Sequence, residues 1–314
     1  MPVNCRCTLF GDQVMKNLLS IYLLLFFSSV HASNDTIVEI PLIGQPCNER
    51  VQKVDSVKGR LRTPSSAAES PAVVIFHSNA GIVGVGDSYA KKLVEKGFVT
   101  LEVDSYTPRS VRSGNDRSAP TACDRLNDGW SALYVLSKNS NVNIKKVGAV
   151  GLSSGGLVSL MLAKGVFPRG MHAPDDRLEA IKKMRFKKFF VLYPSCANIL
   201  YDEKMSWMRN PNMARSKRTD GELAILVGTN DDYEIDARTD CPKVLKEWEE
   251  YGLRGKLHFF EGATHAFDWT SPPPTSFSRF AKAGKGAMLS MAYSEGATRE
   301  SQNMMVEFFD EFNK

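Results

Sequence analysis

The chain has 314 residues, of which 43% are apolar and 24% are charged, and this balance excludes a disordered protein, a collagen and a coiled coil. Its formal net charge of +5 is a weak bias over this length and gives no reason to expect a nucleic-acid partner. Six cysteines are too few to build a chain of this length as a disulfide scaffold.

The N-terminal end, residues 1–32, has the features of a secretory signal peptide. An apolar run follows Lys16, and a small-residue cleavage pattern ends at Ala32. The run is shorter than the roughly 20 apolar residues that a membrane-spanning helix needs, so we expect no stable membrane anchor. Met15 is an alternative start, because it opens a usual signal sequence. The sequence therefore predicts an exported protein whose folded part, residues 33–314, is a single domain.

Four cysteines remain after that segment: Cys47, Cys123, Cys196 and Cys241. In an exported protein they permit two disulfides, in any of three pairings. Buried free thiols are an equal alternative at this point.

The rest of the chain alternates short β-rich apolar runs with runs of helical periodicity. Two early runs, Thr36–Ile40 and Val57–Leu61, are candidate antiparallel edge strands. Six later runs are continuously apolar, as is typical of strands covered on both faces: Val73–Phe76, Phe98–Val103, Val147–Val150, Phe189–Leu192, Leu223–Val227 and Leu257–Phe260. This alternation predicts an α/β fold with a mostly parallel central sheet and helices on both faces.

A G-x-S-x-G pentapeptide, residues 151–155, directly follows one of these strands and precedes a run that can be helical. A sharp turn between strand and helix strains the backbone of Ser153 and presents its oxygen at the carboxyl edge of the sheet. The N–H of Ser154 would then point to the place where an oxyanion forms. We interpret Ser153 as a nucleophile. The alternative is a Gly/Ser loop that only lets two elements pack closely.

A serine hydroxyl needs a base to take its proton. His265 follows the last strand of the sheet, where a base would meet the nucleophile, and is the best candidate. His77 ends an earlier strand, His258 lies within a strand run, and His172 stands in an irregular Pro-containing segment.

The acid is expected between nucleophile and base. Asp231 and Asp232 follow the strand Leu223–Val227, and two adjacent carboxylates are costly unless one has a partner. Asp231 stands three residues after Gly228, the usual offset for such an acid, and Asp232 is the alternative.

The loop after Val73–Phe76 is expected to supply the second oxyanion donor. Its small residues let the backbone approach a substrate, and we favour the N–H of Asn79, with Ser78 as the alternative. His and carboxylate residues form no cluster at metal-ligand spacing, so we expect no metal and no cofactor.

These segments together resemble the dienelactone hydrolase branch of the α/β-hydrolase superfamily, in its exported bacterial form. The matching segments are PAVVIFHSNAG (71–81), KGFVTLEVDSYTPR (96–109), VGAVGLSSGG (147–156), LVGTNDDYEIDARTDC (226–241) and FFEGATHAFD (259–268). The chain order of nucleophile, acid and base is also that of the superfamily. The resemblance implies one α/β-hydrolase domain, hydrolysis of a small-molecule ester or lactone through an acyl-enzyme, and a periplasmic or secreted location.

The chain departs from the founding enzymes of that branch at several positions. They attack with a cysteine where this chain has Ser153, and they have a glutamate where it has Ser78. They hold an anionic lactone with arginines, a role that Arg109 could fill, although an ion pair with Asp104 or another loop carboxylate is the favoured interpretation. The candidate substrate-binding residues are His77, Ser78, Arg109, Tyr201, Trp207 and Trp269.

Other activities remain open for this fold, including those of a thioesterase, a peptidase and an acyltransferase. A non-catalytic binding protein on the same scaffold is the alternative from a different class. A complete set of nucleophile, base and acid speaks against it, because binding alone does not need all three.

Overall fold

A sheet of eight strands forms the centre of the structure. The computed structural model describes Met1 and residues 33–65, 68–167, 177–202 and 221–314, so the predicted signal peptide lies outside the described residues except for Met1. The strands of the sheet are β1 (Ser33–Pro41), β2 (Ser56–Pro64), β3 (Ser70–Phe76), β4 (Val99–Asp104), β5 (Val142–Leu152), β6 (Lys188–Leu192), β7 (Glu222–Gly228) and β8 (Arg254–Phe260).

The sheet runs in the order β1-β2-β4-β3-β5-β6-β7-β8. β1 pairs antiparallel with β2, and β2 pairs antiparallel with β4. The remaining neighbours, from β4 to β8, all pair in parallel. The predicted strands, the antiparallel edge and the mostly parallel sheet are therefore confirmed. Because the parallel strands point the same way, their carboxyl ends meet at one edge of the sheet, where ligands bind in folds of this class.

Eight α-helices connect or follow the strands in the described part of the chain: α1 (Val85–Glu95), α2 (Ala122–Ser137), α3 (Ser154–Ala163), α4 (Arg177–Lys182), α5 (Cys196–Tyr201), α6 (Ala237–Glu250), α7 (Ala281–Gly284) and α8 (Glu295–Asp310). Within these described ranges, no helix is both long and apolar enough to cross a membrane.

The helices cover the two faces of the sheet, and each face has its own core. Successive side chains of a strand point to opposite faces, so Val74 and Phe76 of β3 lie in one core while Val73 and Ile75 lie in the other. The first core includes apolar residues of α2, α3 and α6, and the second includes those of α1 and α8. This double coverage explains why the strands are continuously apolar.

A small hairpin near the C-terminus escaped prediction. It consists of β9 (Thr275–Ser278) and β10 (Ala287–Ser290), which pair antiparallel. Its strands have only four residues each, which is too short for an alternation of apolar and polar residues to mark a strand in the sequence. Leu289 of the hairpin and Ala281 of α7 pack on Tyr233, which follows β7.

The four cysteines form two disulfides. Cys47 pairs with Cys123 at the start of α2, and Cys196 of α5 pairs with Cys241 of α6. The pairing that the sequence left open is thus decided in favour of two bridges. Each bridge closes a long segment, with partners 76 and 45 residues apart. Long closed loops remove much conformational entropy from the unfolded chain.

We expect the paired substitution Cys196→Ala/Cys241→Ala to lower the free energy of unfolding by about 4 kcal/mol, because the unfolded chain regains the freedom of a 45-residue loop. Urea unfolding followed by circular dichroism measures this loss. The matched pair Cys47→Ala/Cys123→Ala should lose a similar amount. Non-reducing peptide mapping should show only these two pairings, and any other pairing contradicts the expectation.

Candidate active site

The turn from β5 into α3 holds Ser153 in a strained backbone conformation, as the pentapeptide predicts. Ser153 has a φ of 51° and a ψ of −114°, a region that L-residues seldom occupy. Its N–H donates to the carbonyl of Leu192 at the end of β6, with 3.0 Å between nitrogen and oxygen. The strain is therefore held by the neighbouring strand of the sheet.

The glycines on either side of Ser153 are required by close backbone contacts. A Cβ at Gly155 would collide with the carbonyl oxygen of Phe76 and lie 2.6 Å from that of His77. A Cβ at Gly151 would collide with the carbonyl of Gly155. The spacing of the G-x-S-x-G motif thus follows from the way β3, β5 and α3 pack together.

Ser153, His265 and Asp231 form a continuous chain of hydrogen bonds. The Oγ of Ser153 lies 2.8 Å from Nε2 of His265, and Nδ1 of His265 lies 2.8 and 3.0 Å from the two carboxylate oxygens of Asp231. Because a carboxylate can only accept, Nδ1 carries the proton and Nε2 is left to accept from the serine hydroxyl. All three residues are buried.

Two aromatic rings hold the imidazole of His265 in place. Tyr233 stacks on it with 4.7 Å between ring centroids, and Tyr193 meets it edge-on at 5.1 Å. Asp231 also accepts from the N–H of Tyr233 at 2.9 Å, so the carboxylate and the stacked ring belong to one turn. Sequence reasoning gave neither tyrosine a role at the site, although Tyr233 lies within the matching segment 226–241, because a sequence motif does not show which ring packs on the imidazole.

The structure distinguishes between the two candidate acids. Asp231 contacts His265, whereas Asp232 accepts from the N–H of Ser290 in β10 at 3.2 Å. The neighbouring carboxylates therefore point to different partners, which removes the cost of placing them side by side.

A cleft of about 1430 Å³ opens next to the chain of Ser153, His265 and Asp231, although none of these three residues lines it. The predicted oxyanion donors Asn79 and Ser154 both line it, together with Tyr233. Asn79 is held by two contacts: its carbonyl accepts from Gly114 at 2.8 Å, and its side-chain oxygen accepts from the hydroxyl of Tyr106 at 3.3 Å. The oxyanion roles of the Asn79 and Ser154 N–H groups stay predictions.

The structure corrects the expectation that Arg109 could hold a substrate. Arg109 is buried, and its guanidinium binds both carboxylate oxygens of Asp128 at 2.9 and 2.7 Å. It also donates to the carbonyl of Ser105. The ion-pair interpretation is therefore right, and the partner is Asp128 of α2 and not Asp104.

His77 is also corrected as a substrate contact. Nδ1 donates to the carbonyl of Ser78 at 2.7 Å, and Nε2 accepts from the N–H of Ser105 at 3.3 Å. Burial and the nearby positive charge of Arg125 hold the pKa of His77 well below its usual value, so the ring is neutral. Both nitrogens serve the protein, and His77 holds its loop against the turn after β4.

The other candidate substrate contacts lie in different surroundings. Ser78 and Trp269 line a small cavity next to Leu152 and Tyr193. Tyr201 donates its hydroxyl to Asp240 at 2.8 Å. Trp207 lies outside the described residues.

Part of the chain is similar to a known protein family. The sequence model of the dienelactone hydrolase family matches residues 57–172, a range that contains Ser153 and its elbow. The resemblance to the dienelactone hydrolase family is confirmed.

One curated relative matches over a shorter range. Within 86 residues the chain is 35% identical to an uncharacterized protein of Escherichia coli K12, YcjY. The aligned part is 27% of this chain and 28% of the length of that protein.

Solved structures share the fold over most of the chain. A dienelactone hydrolase-like promiscuous phosphotriesterase, P91, from metagenomic libraries has a TM-score of 0.58 and 18% identity, covering 88% of this chain and 98% of its own. A putative dienelactone hydrolase from Klebsiella pneumoniae has a TM-score of 0.62 and 12% identity, covering 89% and 99%. Esterase 2 of Thermogutta terrifontis, phosphorylated by paraoxon, has a TM-score of 0.60 and 18% identity, covering 88% of this chain and 94% of its own. The predicted α/β-hydrolase fold is therefore confirmed.

Within this dienelactone hydrolase-like fold, one group of potential metal ligands occurs among the described residues: Cys196, Glu234 and Cys241. The two sulfurs are joined in a disulfide. Glu234 accepts from the N–H groups of Cys196 and Ala197 at 2.7 and 2.6 Å, so it anchors α5. Burial and the nearby charge of Asp231 raise the pKa of Glu234 well above its usual value.

A buried carboxylate, Asp268, lies three residues after His265. It accepts hydrogen bonds from the hydroxyls of Tyr193 and Tyr89 at 2.7 and 2.8 Å. Burial raises its pKa to about 6, although both hydroxyls oppose the shift. Since Tyr193 also contacts His265, Asp268 supports a ring that packs on the imidazole of His265.

We expect Asp268 to make stability depend on pH. Its pKa is higher in the folded chain than in the unfolded chain, so its ionisation destabilises the fold increasingly as the pH rises from about 4 to about 6, and this loss persists above that range. A pKa raised from its ordinary value to about 6 corresponds to a loss of about 3 kcal/mol in the free energy of unfolding once the carboxyl is ionised in both states. Urea unfolding of Asp268→Asn and wild type at pH 4 and pH 7 should show the variant gaining about 2 kcal/mol relative to wild type from pH 4 to pH 7, because part of the full effect is already lost at pH 4. An equal difference at both pH values contradicts the expectation.

Proposed function

We propose that the chain is a serine hydrolase that cleaves carboxylic esters or lactones of small molecules through an acyl-enzyme. The observation that carries the proposal is the buried hydrogen-bonded chain from Ser153 through His265 to Asp231, with the serine on a strained elbow beside a cleft. Nucleophilic acyl transfer needs a serine hydroxyl that is hydrogen-bonded to a general base, and a third group that orients this base. The esterases among the structural neighbours support this reaction class.

In the proposed first half-reaction, the Oγ of Ser153 attacks the carbonyl carbon of the ester while Nε2 of His265 takes the hydroxyl proton. Asp231 keeps Nδ1 protonated and stabilises the imidazolium that results. In this proposal the N–H groups of Ser154 and Asn79, two residues that line the cleft, stabilise the oxyanion.

Collapse of this intermediate breaks the bond to the leaving alcohol, which receives the proton from His265. In the second half-reaction His265 takes a proton from water while the water oxygen attacks the acyl carbon. The bond to the Oγ of Ser153 then breaks, His265 returns the proton to that oxygen, and the acid is released. The stacked Tyr233 and the edge-on Tyr193 keep the imidazole in one orientation through both steps.

We also propose that the protein is exported, to the periplasm or beyond, with residues 1–32 as the signal peptide. The two disulfides support this proposal, since disulfides persist in oxidising compartments and are rare in the cytosol.

The nucleophile can be tested by covalent labelling. A fluorophosphonate probe should modify the wild type at Ser153, and peptide mass spectrometry should locate it there. Ser153→Ala should lose both the label and the turnover of short-chain nitrophenyl esters, by a factor of about 10³ or more. Ser154→Ala provides a control for the position, because it should still be labelled at Ser153. Inertness of the wild type toward the probe and toward all ester chain lengths would favour a binding protein on the same scaffold.

The acid can be tested by a matched pair of neighbouring substitutions. Asp231→Asn should lower kcat by about 10⁴-fold, because the amide no longer keeps His265 in the required tautomer. Asp232→Asn should leave kcat near the wild-type value, because its oxygen can still accept from Ser290. Steady-state kinetics with a nitrophenyl ester measures both. The reverse pattern would make Asp232 the acid.

A further inference from the structure

Arg125 is a buried arginine that connects two loops of the site. It lies in the first turn of α2 and is only 2% exposed. One end of its guanidinium, Nη2, donates to the carbonyl oxygen of His77 at 2.5 Å. The other end, Nη1, donates to the Oγ of Ser154 at 2.8 Å. A single planar group therefore joins the loop after β3 to the start of α3.

The charge of Arg125 has no carboxylate in contact with it among the described residues. The nearby carboxylate, Asp128, is already bound at both oxygens by Arg109. The Nε of Arg125 is buried without a hydrogen-bond partner in the same part of the chain, and the guanidinium lies 5.4 Å from the ring centroid of Tyr106. Burying a charge in this way is unfavourable, and proteins retain such arrangements mainly where function uses them.

The two groups that Arg125 holds are the two sides of the proposed oxyanion hole. His77 begins the loop that carries Asn79, and Ser154 carries the other donor. The main chain brings the same two sides together, since the carbonyl of His77 packs against Gly155 with no room for a Cβ. The guanidinium spans this contact from the side of the cleft, which it also lines.

We propose that Arg125 is a positioning residue for the oxyanion hole, whose guanidinium sets the spacing between the Asn79 and Ser154 N–H groups and adds positive potential where the oxyanion forms. This inference rests on the proposed serine hydrolase function. Such a residue stabilises the transition state more than the bound substrate, so its removal lowers kcat and leaves KM nearly unchanged.

The variants Arg125→Lys and Arg125→Met separate geometry from charge. Lysine keeps the charge but cannot bridge both loops with a fork, whereas methionine removes both. We expect kcat for p-nitrophenyl acetate to fall about 100-fold in Arg125→Lys and further in Arg125→Met, with KM within about threefold of wild type. Arg112→Met is the matched control: it removes one exposed positive charge from the segment before α2 and should retain wild-type kinetics.

Two further measurements distinguish positioning from a merely structural role. Phenylboronic acid forms a tetrahedral adduct with a reactive serine, so its inhibition constant should rise in parallel with the loss in kcat/KM across the variants. In Arg125→Ala, low concentrations of guanidinium chloride should restore part of kcat, while the same concentrations of sodium chloride should not. Thermal unfolding of each variant shows whether that variant is folded. If Arg125→Met or Arg125→Ala is not folded, the comparison of Arg125→Lys with wild type tests the inference.

Several outcomes would overturn the inference. Wild-type kcat in Arg125→Lys and Arg125→Met would do so, and so would an unchanged boronate inhibition constant. A rise in KM confined to esters with an anionic acyl group, with kcat intact, would make Arg125 a substrate contact. These results differ from a failure of the proposed function itself, in which the wild type neither reacts with the fluorophosphonate at Ser153 nor hydrolyses any ester.

Discussion

The close contact of backbone with backbone around Ser153 is the constraint on which the site depends. β3, β5 and α3 meet so tightly there that glycine is needed at residues 151 and 155, and the serine between them adopts a positive φ. A strained residue persists only when its surroundings over-determine it. Here the backbone of Ser153 is fixed by its hydrogen bond to Leu192 and by the two cores that cover the faces of the sheet. The same packing points the serine oxygen toward the loop that carries His265.

Around this elbow, the residues of the hydrogen-bonded chain from Ser153 to Asp231 are held by neighbours outside that chain. Asp231 is tied to the turn of Tyr233, the imidazole is confined by two aromatic rings, and Asp268 anchors one of those rings. Each of these contacts lies at the carboxyl edge of the sheet, because the parallel strands all end there. Each of these groups is therefore held in one orientation by a further contact. This support limits the reorganisation that is needed when charge develops in the site.

Two buried arginines with similar surroundings serve different purposes. Arg109 is neutralised by Asp128 and stabilises the turn after β4. Arg125, one turn of α2 before Asp128, faces the elbow and binds neutral oxygens. In the linear sequence Arg109 ends the matching segment 96–109 of the dienelactone hydrolase resemblance, whereas Arg125 lies outside all the matching segments. Only the packing of α2 against α3 gives Arg125 its position beside the elbow that holds Ser153.

The sequence by itself was sufficient for the strands, the antiparallel edge, the elbow and the order of Ser153, Asp231 and His265. These features are local: continuous apolar runs follow from strands covered on both faces, and a G-x-S-x-G motif follows from one crowded turn. The disulfide pairing, the partner of Arg109, the separation of Asp231 from Asp232 and the role of the two tyrosines required the folded chain. Each is a contact between residues 19 to 76 positions apart or a choice between adjacent residues, as the Arg109–Asp128 ion pair and the Cys47–Cys123 disulfide illustrate. Periodicity and composition carry no information on such pairings, because the sheet order brings distant segments together only once all its strands are in place.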